Sequence, residues 1–216
     1  QSGPVKIAVL GDSLAAGYGV SPQQAFPVRL QTALQKQARN VTLLNHGVSG
    51  DTTAGGVERV DWMLADRYVM PPELLPYCTE QPLHVPHCYQ VSDRQRAVAP
   101  RPARSTYGLP DDAMVYCSFN NNHKFTPEVF SAWMRILQQV PGSVLWLLAD
   151  NDTARENMLR QADAHGLARD RLIFAPRVAP PEYLARFQCA DLVLDTFPYN
   201  AGTTASDALW MGTPIV

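Results

Sequence analysis

Near its end the chain places residues whose types and spacing suit an anion that carries hydroxyls. Thr203 and Thr204 open a predicted helix, and Asp207 follows Thr203 by four residues, so a hydroxyl and a carboxylate share one face. The first free N–H groups and the positive dipole end of such a helix suit a phosphate, and a nucleotide sugar would use the donors and the carboxylate together. Taken alone, the plainer reading comes first: a threonine cap with an acid placed early in a helix for its dipole. Lys124, closing Phe119-Asn-Asn-Asn-His-Lys124, offers an ammonium that would stabilise a diphosphate leaving group. A solvated loop lysine is the ordinary fate of that residue type. Ser13, in Gly11-Asp-Ser-Leu14, is a nucleophile if an imidazole lies within reach and a donor such as the Gly50 N–H faces the oxyanion. Otherwise it is a turn residue bonded to its own backbone.

Strands must carry these residues to one place. From Ala113 onward apolar runs alternate with helical periods. Strands are expected over 114–119, 143–148, 172–174 and 192–194, and helices over 127–139, 153–165, 181–188 and from 203. Four strands alternating with helices make a parallel sheet covered on both faces, half of a Rossmann-like α/β sandwich. Ligands of such sheets bind at the carboxyl ends of the strands, where Lys124, Thr203 and Thr204 would meet. Upstream, a strand at 5–10, a helix at 24–37, a strand at 41–44 and a helix ending near 65 form a second α/β unit, with Ser13 and Gly50 after its two strands. Between Met70 and Pro110 eight of the eighteen prolines accumulate, so loops and short turns are expected there.

Composition narrows the function classes. A net charge of -2 over 216 residues and a pI near 6.2 leave no basic footprint for nucleic acid, and no Lys/Arg cluster marks a membrane surface. No apolar run approaches a membrane span, and the first residues carry no charged-then-apolar leader, although the chain begins at Gln1 without Met. Cys78, Cys88, Cys117 and Cys189 lack the close pairs of a zinc or redox motif. His84, His87 and Cys88 do not make a tetrahedral site without a fourth partner. No metal is expected.

Two resemblances sharpen this reading. The segment Asp195-Thr-Phe-Pro-Tyr-Asn-Ala-Gly-Thr-Thr-Ala-Ser-Asp-Ala-Leu-Trp210 resembles the donor-binding segment of bacterial O-linked N-acetylglucosamine transferases, the Spindly-like glycosyltransferases, and the likeness extends over about 67–216. It implies the carboxyl-terminal half of a GT-B fold, UDP-N-acetylglucosamine as donor substrate without a further cofactor, inverting metal-independent transfer to a protein serine or threonine, and a cytoplasmic location. It also implies roles: Lys124 at the donor diphosphate with Asn121 beside it, Thr203, Thr204 and Asp207 at diphosphate and ribose. The uracil would lie against Val178 and Tyr183, the latter standing where animal enzymes stack a histidine, with Arg186 as a basic neighbour. Pro180 replaces a lysine of the animal enzymes. Read for packing alone, Tyr183 and Arg186 form an amphipathic helix face. The run Pro86-His-Cys-Tyr-Gln-Val-Ser-Asp-Arg-Gln-Arg96 is given a packing role only. The amino-terminal half of the catalytic region and the helical repeats of that family are expected to lie outside this chain.

Residues 5–66, with Gly11-Asp-Ser-Leu14 and Asn45-His-Gly-Val-Ser-Gly-Asp-Thr-Thr53, resemble the start of the GDSL (SGNH) hydrolases, in which the Ser13 position is the nucleophile and the Gly50 position an oxyanion donor. The later Gly-x-Asn-Asp and Asp-x-x-His blocks of that family have only mimics, Ala149-Asp-Asn-Asp152 and Asp163-Ala-His165. An exported parent would place this part in the periplasm or outside the cell. The expected organisation is a hydrolase-like unit at 1–66, a proline-rich connection at 67–112 and a nucleotide-sugar-binding domain at 113–216, with the joint at 61–68 inside a helix or at its end. Transferase, esterase and inert hybrid stand as the three functional readings, in that order.

Overall fold

A computed structural model describes residues 5–9, 21–36, 41–45, 62–78, 80–90, 92–148 and 151–216. Its chain forms two units, Gln1–Tyr89 and Gln90–Val216. In the first, β1 (Val5–Val9) and β2 (Val41–Asn45) pair in parallel, Val5 opposite Val41 and Val9 opposite Asn45, with α1 (Phe26–Lys36) between them in sequence. Parallel neighbours require such a crossover, and the β-branched run of β1 favours the extended state.

A second parallel pair corrects two expectations. Residues 62–65, read as the end of a helix, are strand β3 (Trp62–Ala65), which pairs with β4 (Gln81–His84) inside the stretch read as loop. The stretch 61–68, expected to lie inside a helix or at its end, therefore holds a strand at Trp62–Ala65. Ladder pairing with a partner about twenty residues away overrides local helix preference here, and Pro82 is accommodated because a two-stranded ladder is all edge. Asp66, which follows β3 and is 2% exposed, closes this segment. Its Oδ1 accepts the N–H groups of Tyr68 at 2.8 Å and Val69 at 2.9 Å, and its Oδ2 that of Tyr89 at 2.8 Å. Ser13 and Gly50 lie outside the described residues.

The second unit is a four-stranded parallel sheet. In chain order it contains β5 (Val115–Ser118), α2 (Pro127–Gln139), β6 (Val144–Leu148), α3 (Asp152–Ala164), β7 (Leu172–Ala175), α4 (Pro180–Arg186), β8 (Leu192–Val193) and α5 (Thr203–Trp210). The strand order is β7-β6-β5-β8, and Ile215 bridges Val193 in parallel on the far side of β8. The chain thus winds outward from β5 in one direction and then returns to wind in the other, which makes the gap between the carboxyl ends of β5 and β8 a topological switch point.

Period-two alternation divides the two cores. Tyr116, Leu145, Leu147 and Leu172 face Phe130, Trp133, Met134 and Leu137 of α2 and Met158 and Ala162 of α3. Val115, Cys117, Val144, Trp146 and Ala175 join Phe119 on the opposite face, against Phe187, Cys189 and Ala208. Each fully buried large side chain contributes roughly 1.5–3 kcal/mol relative to exposure. Thr126 caps α2 by accepting the Val129 N–H at 3.3 Å, with Pro127 in its first turn. Asn151 caps α3 by accepting the Ala154 N–H at 2.7 Å. Residues 90–112 belong to this unit, where Arg104 ties them down by donating to Asp191 Oδ2 at 2.8 Å, Asp111 O at 2.9 Å and Cys189 O at 3.1 Å.

Candidate functional site

At the switch point β5 leaves the sheet through Phe119 and Asn120, both buried, and Asn121 in extended conformation starts a single 3-10 turn, Asn122–Lys124. That turn aims Lys124 across the crevice at the loop after β8. Its Nζ donates to Asn200 O at 3.3 Å and stands 4.0 Å from the centroid of the Tyr199 ring. The loop it meets is stapled from within by Asp195. Its Oδ1 accepts the N–H groups of Thr196 at 2.7 Å and Ala201 at 2.8 Å, and its Oδ2 accepts Asn200 Nδ2 at 3.0 Å. Thr196, fully buried, donates through Oγ1 to Tyr199 O at 2.7 Å, and the Phe197-Pro198 peptide bond is cis.

Helix α5 then begins at Gly202, which brings no side chain to cap it. The Ser206 N–H bonds Gly202 O at 3.1 Å, so the N–H groups of Thr203, Thr204 and Ala205 precede the first turn's bonding. A Gly202 Cβ would stand 3.5 Å from Gln90 Oε1, and Gln90 Nε2 donates to Thr203 Oγ1 at 3.2 Å. A cation on the loop that enters the helix, an uncapped helix start and a side-chain amide at Thr203 are donor types that an anion cradle uses.

One helical turn on, Asp207 is 4% exposed and paired with Arg96. Burial raises its carboxyl pKa, and the Arg96 guanidinium opposes that rise. Arg96, Ala97, Pro180, Tyr183, Leu184 and Asp207 are among the residues lining a cleft of about 350 Å³. Tyr183 packs edge-on against Phe187, with ring centroids 5.4 Å apart. Burial pushes its phenol pKa up, so it stays neutral. Val178, half-buried, sits in the loop after β7.

Arg186, expected as a basic neighbour of the uracil or as part of an amphipathic helix face, lies in the interior. It is 1% exposed, lies over the rings of Phe119 at 4.0 Å and Tyr183 at 4.6 Å, and donates to Pro176 O at 2.9 Å. The packing-only reading of 86–96 is also corrected, since Gln90 and Arg96 reach Thr203 and Asp207. Polar residues at irregular spacing in a proline-rich run carry no periodic signal for such a role. The two hydrolase mimics resolve into helix ends. Asn151 is the cap of α3, Asp163 Oδ2 pairs with Arg169 at 2.7 Å, and His165 Nδ1 lies 2.8 Å from Gln161 O. Among the described residues no group of three or more His, Cys, Asp or Glu is arranged to hold a metal ion, and no helix is long and apolar enough to cross a membrane.

The model of glycosyl transferase family 41 matches residues 95–216. A probable UDP-N-acetylglucosamine–peptide N-acetylglucosaminyltransferase SEC of Arabidopsis thaliana is 35% identical over 167 residues, 74% of this chain and 17% of that protein. A UDP-N-acetylglucosamine–peptide N-acetylglucosaminyltransferase of Caenorhabditis elegans is 41% identical over 114 residues, 53% of this chain and 10% of that protein. The chain therefore spans less than a fifth of these relatives. Among solved structures, an O-GlcNAc transferase mutant of Thermobaculum terrenum superposes with a TM-score of 0.66 at 19% identity, covering 99% of this chain and 52% of that one, which shows a common fold.

Proposed function

Because the chain belongs to glycosyl transferase family 41, we propose that its second unit is the donor-binding part of a UDP-N-acetylglucosamine-dependent protein O-glycosyltransferase. The observation that carries this reading is the meeting of Lys124 with the loop entering the uncapped start of α5, at the switch point of the sheet. The diphosphate would lie against the N–H groups of Thr203 and Thr204, with Lys124 and Asn121 on its other side. Asp207 would accept the ribose hydroxyls, and the uracil would lie along Val178 and Tyr183. As the bond from the anomeric carbon to the diphosphate oxygen breaks, charge grows on that oxygen, and the ammonium with the helix start stabilises it. A serine or threonine hydroxyl of a protein would supply the attacking oxygen, held in line by residues beyond those of this crevice.

Calorimetric titration of the chain with UDP tests the reading, and saturable heat at sub-millimolar nucleotide is expected. No heat at millimolar UDP, or equal heats for UDP and free uridine, would remove it.

A second reading concerns residues 5–66, as a serine ester hydrolase unit using Ser13 with Gly50 as oxyanion donor. It is favoured by the parallel pairing of β1 with β2, in which Val9 stands opposite Asn45, so that the two strands preceding Ser13 and Gly50 in the sequence end side by side. Hydrolysis of short p-nitrophenyl esters that disappears in Ser13→Ala would support it. Its absence in the unaltered chain would end it.

A further inference from the structure

The run from Gln90 to Ala97 contributes a charged residue to the cleft that the donor reading does not use. Arg96 is held from two directions, its Nε donating to Asp93 O at 3.1 Å and its Nη1 to Asp207 Oδ1. The guanidinium carbon lies 5.9 Å from the centroid of the Trp210 ring, one helical turn beyond Asp207. Its Nη2 is buried without an acceptor. On the other side of the pair, Asp207 Oδ2 accepts no hydrogen bond among the described residues.

We propose that Arg96 is a positioning residue for ribose recognition: by clamping one oxygen of Asp207, it keeps the other turned to the cleft as the acceptor for the sugar hydroxyls of a nucleoside diphosphate. The proposal rests on the donor reading above and adds to it the residue that makes Asp207 usable. Three physical reasons support it. A carboxylate that is 4% exposed is costly to keep ionised, and the adjacent guanidinium offsets that cost. An unpaired anion beside the start of α5 would repel a diphosphate bound there, whereas the Arg96–Asp207 pair is neutral. Finally, a short carboxylate side chain turns about two bonds, and an anchored guanidinium fixes both, so the free oxygen is presented without a further entropic cost on binding.

UDP and 2′,3′-dideoxy-UDP, which keeps the diphosphate and uracil but lacks both hydroxyls, separate this role from simple packing. The unaltered chain should prefer UDP about ten-fold, the worth of hydrogen bonds to one charged acceptor. In Arg96→Met the UDP Kd should rise about ten-fold and the preference should shrink to about two-fold or less, because the acceptor is no longer held. Arg96→Lys, which cannot hold Asp93 O and Asp207 together, should keep a preference of only about three-fold. Far-UV circular dichroism and a cooperative melt qualify each variant. If Arg96→Met does not fold, the lysine variant decides. A folded variant that keeps the full ten-fold preference overturns the proposal, including the case in which both Kd values rise equally because Arg96 only packs. If the unaltered chain binds UDP without ribose preference, the role of Asp207 and Arg96 falls while the donor reading stands. If it binds no UDP, the donor reading itself falls and carries this role with it.

Discussion

Replacing Lys124 by methionine keeps most of the stem that lies on Tyr199 and removes the ammonium. That ammonium has Asn200 O at 3.3 Å and the Tyr199 ring at 4.0 Å, so it is already partly satisfied. A hydrogen bond between charged groups is worth about 1.5–3 kcal/mol, and exchanging the carbonyl contact for a phosphate oxygen returns about 1 kcal/mol of that. The net loss on substitution is then about 0.5–2 kcal/mol, a rise in the UDP Kd of about 2- to 30-fold. Uridine lacks the diphosphate, so its affinity should stay within about two-fold, the size of an effect on packing alone. Calorimetric titrations of both ligands at two salt concentrations read this directly, and the effect should shrink at the higher salt as the ion pair is screened. Equal losses for UDP and uridine would mean that Lys124 supports the loop rather than the ligand. An unchanged UDP Kd would refute the placement of the diphosphate.

Arg171 donates to Leu137 O at 2.8 Å, Val140 O at 3.1 Å and Ser143 Oγ at 3.0 Å, so Arg171→Met should lower stability in urea by about 2–3 kcal/mol by leaving several acceptors unpaired. In the native protein a thiol reagent at pH 8 should modify Cys88 and Cys78 while sparing Cys117 and Cys189. The latter two are buried, and burial pushes both their thiols up, away from the reactive thiolate. The Asp66 carboxyl is held below its usual pKa, first by the Tyr89 N–H, with those of Val69 and Tyr68 adding to it. A depressed folded-state pKa gives stability that is present above the unfolded value and lost as pH falls through the folded one. Hydrogen exchange at Tyr68, Val69 and Tyr89 should therefore accelerate below about pH 4 and lose that pH dependence in Asp66→Asn.

The sheet of the second unit was readable in advance because its strands are short apolar runs bounded by helix caps, and each observed strand lies within a residue of its expected place. Burial on both faces leaves such strands little else to be. The start of α5 was readable for the same reason, since Gly202 and the two threonines mark a helix boundary by type alone. What escaped was set by long-range contact. Trp62–Ala65 has no strand signature of its own and becomes one by pairing with Gln81–His84. Gln90 and Arg96 act on residues 113 and 111 positions away, and a proline-rich run gives no period from which to infer it. The full burial of Arg186 was likewise set by distant partners. An amphipathic helix face leaves the tip of a cation in water, whereas two aromatic faces and the Pro176 carbonyl take this guanidinium into the interior.

The staple made by Asp195 has a consequence for how a ligand would arrive. Three donors from Thr196, Asn200 and Ala201 converge on one carboxylate, so the loop is held in its curve by its own chain rather than by an occupant. Nothing in it has to be ordered at the moment of encounter, and association should follow a single, concentration-proportional phase without a slow folding step. Removing that carboxylate would leave each candidate contact intact in kind while making the newcomer organise the curve itself, which would slow its capture more than it would hasten its escape.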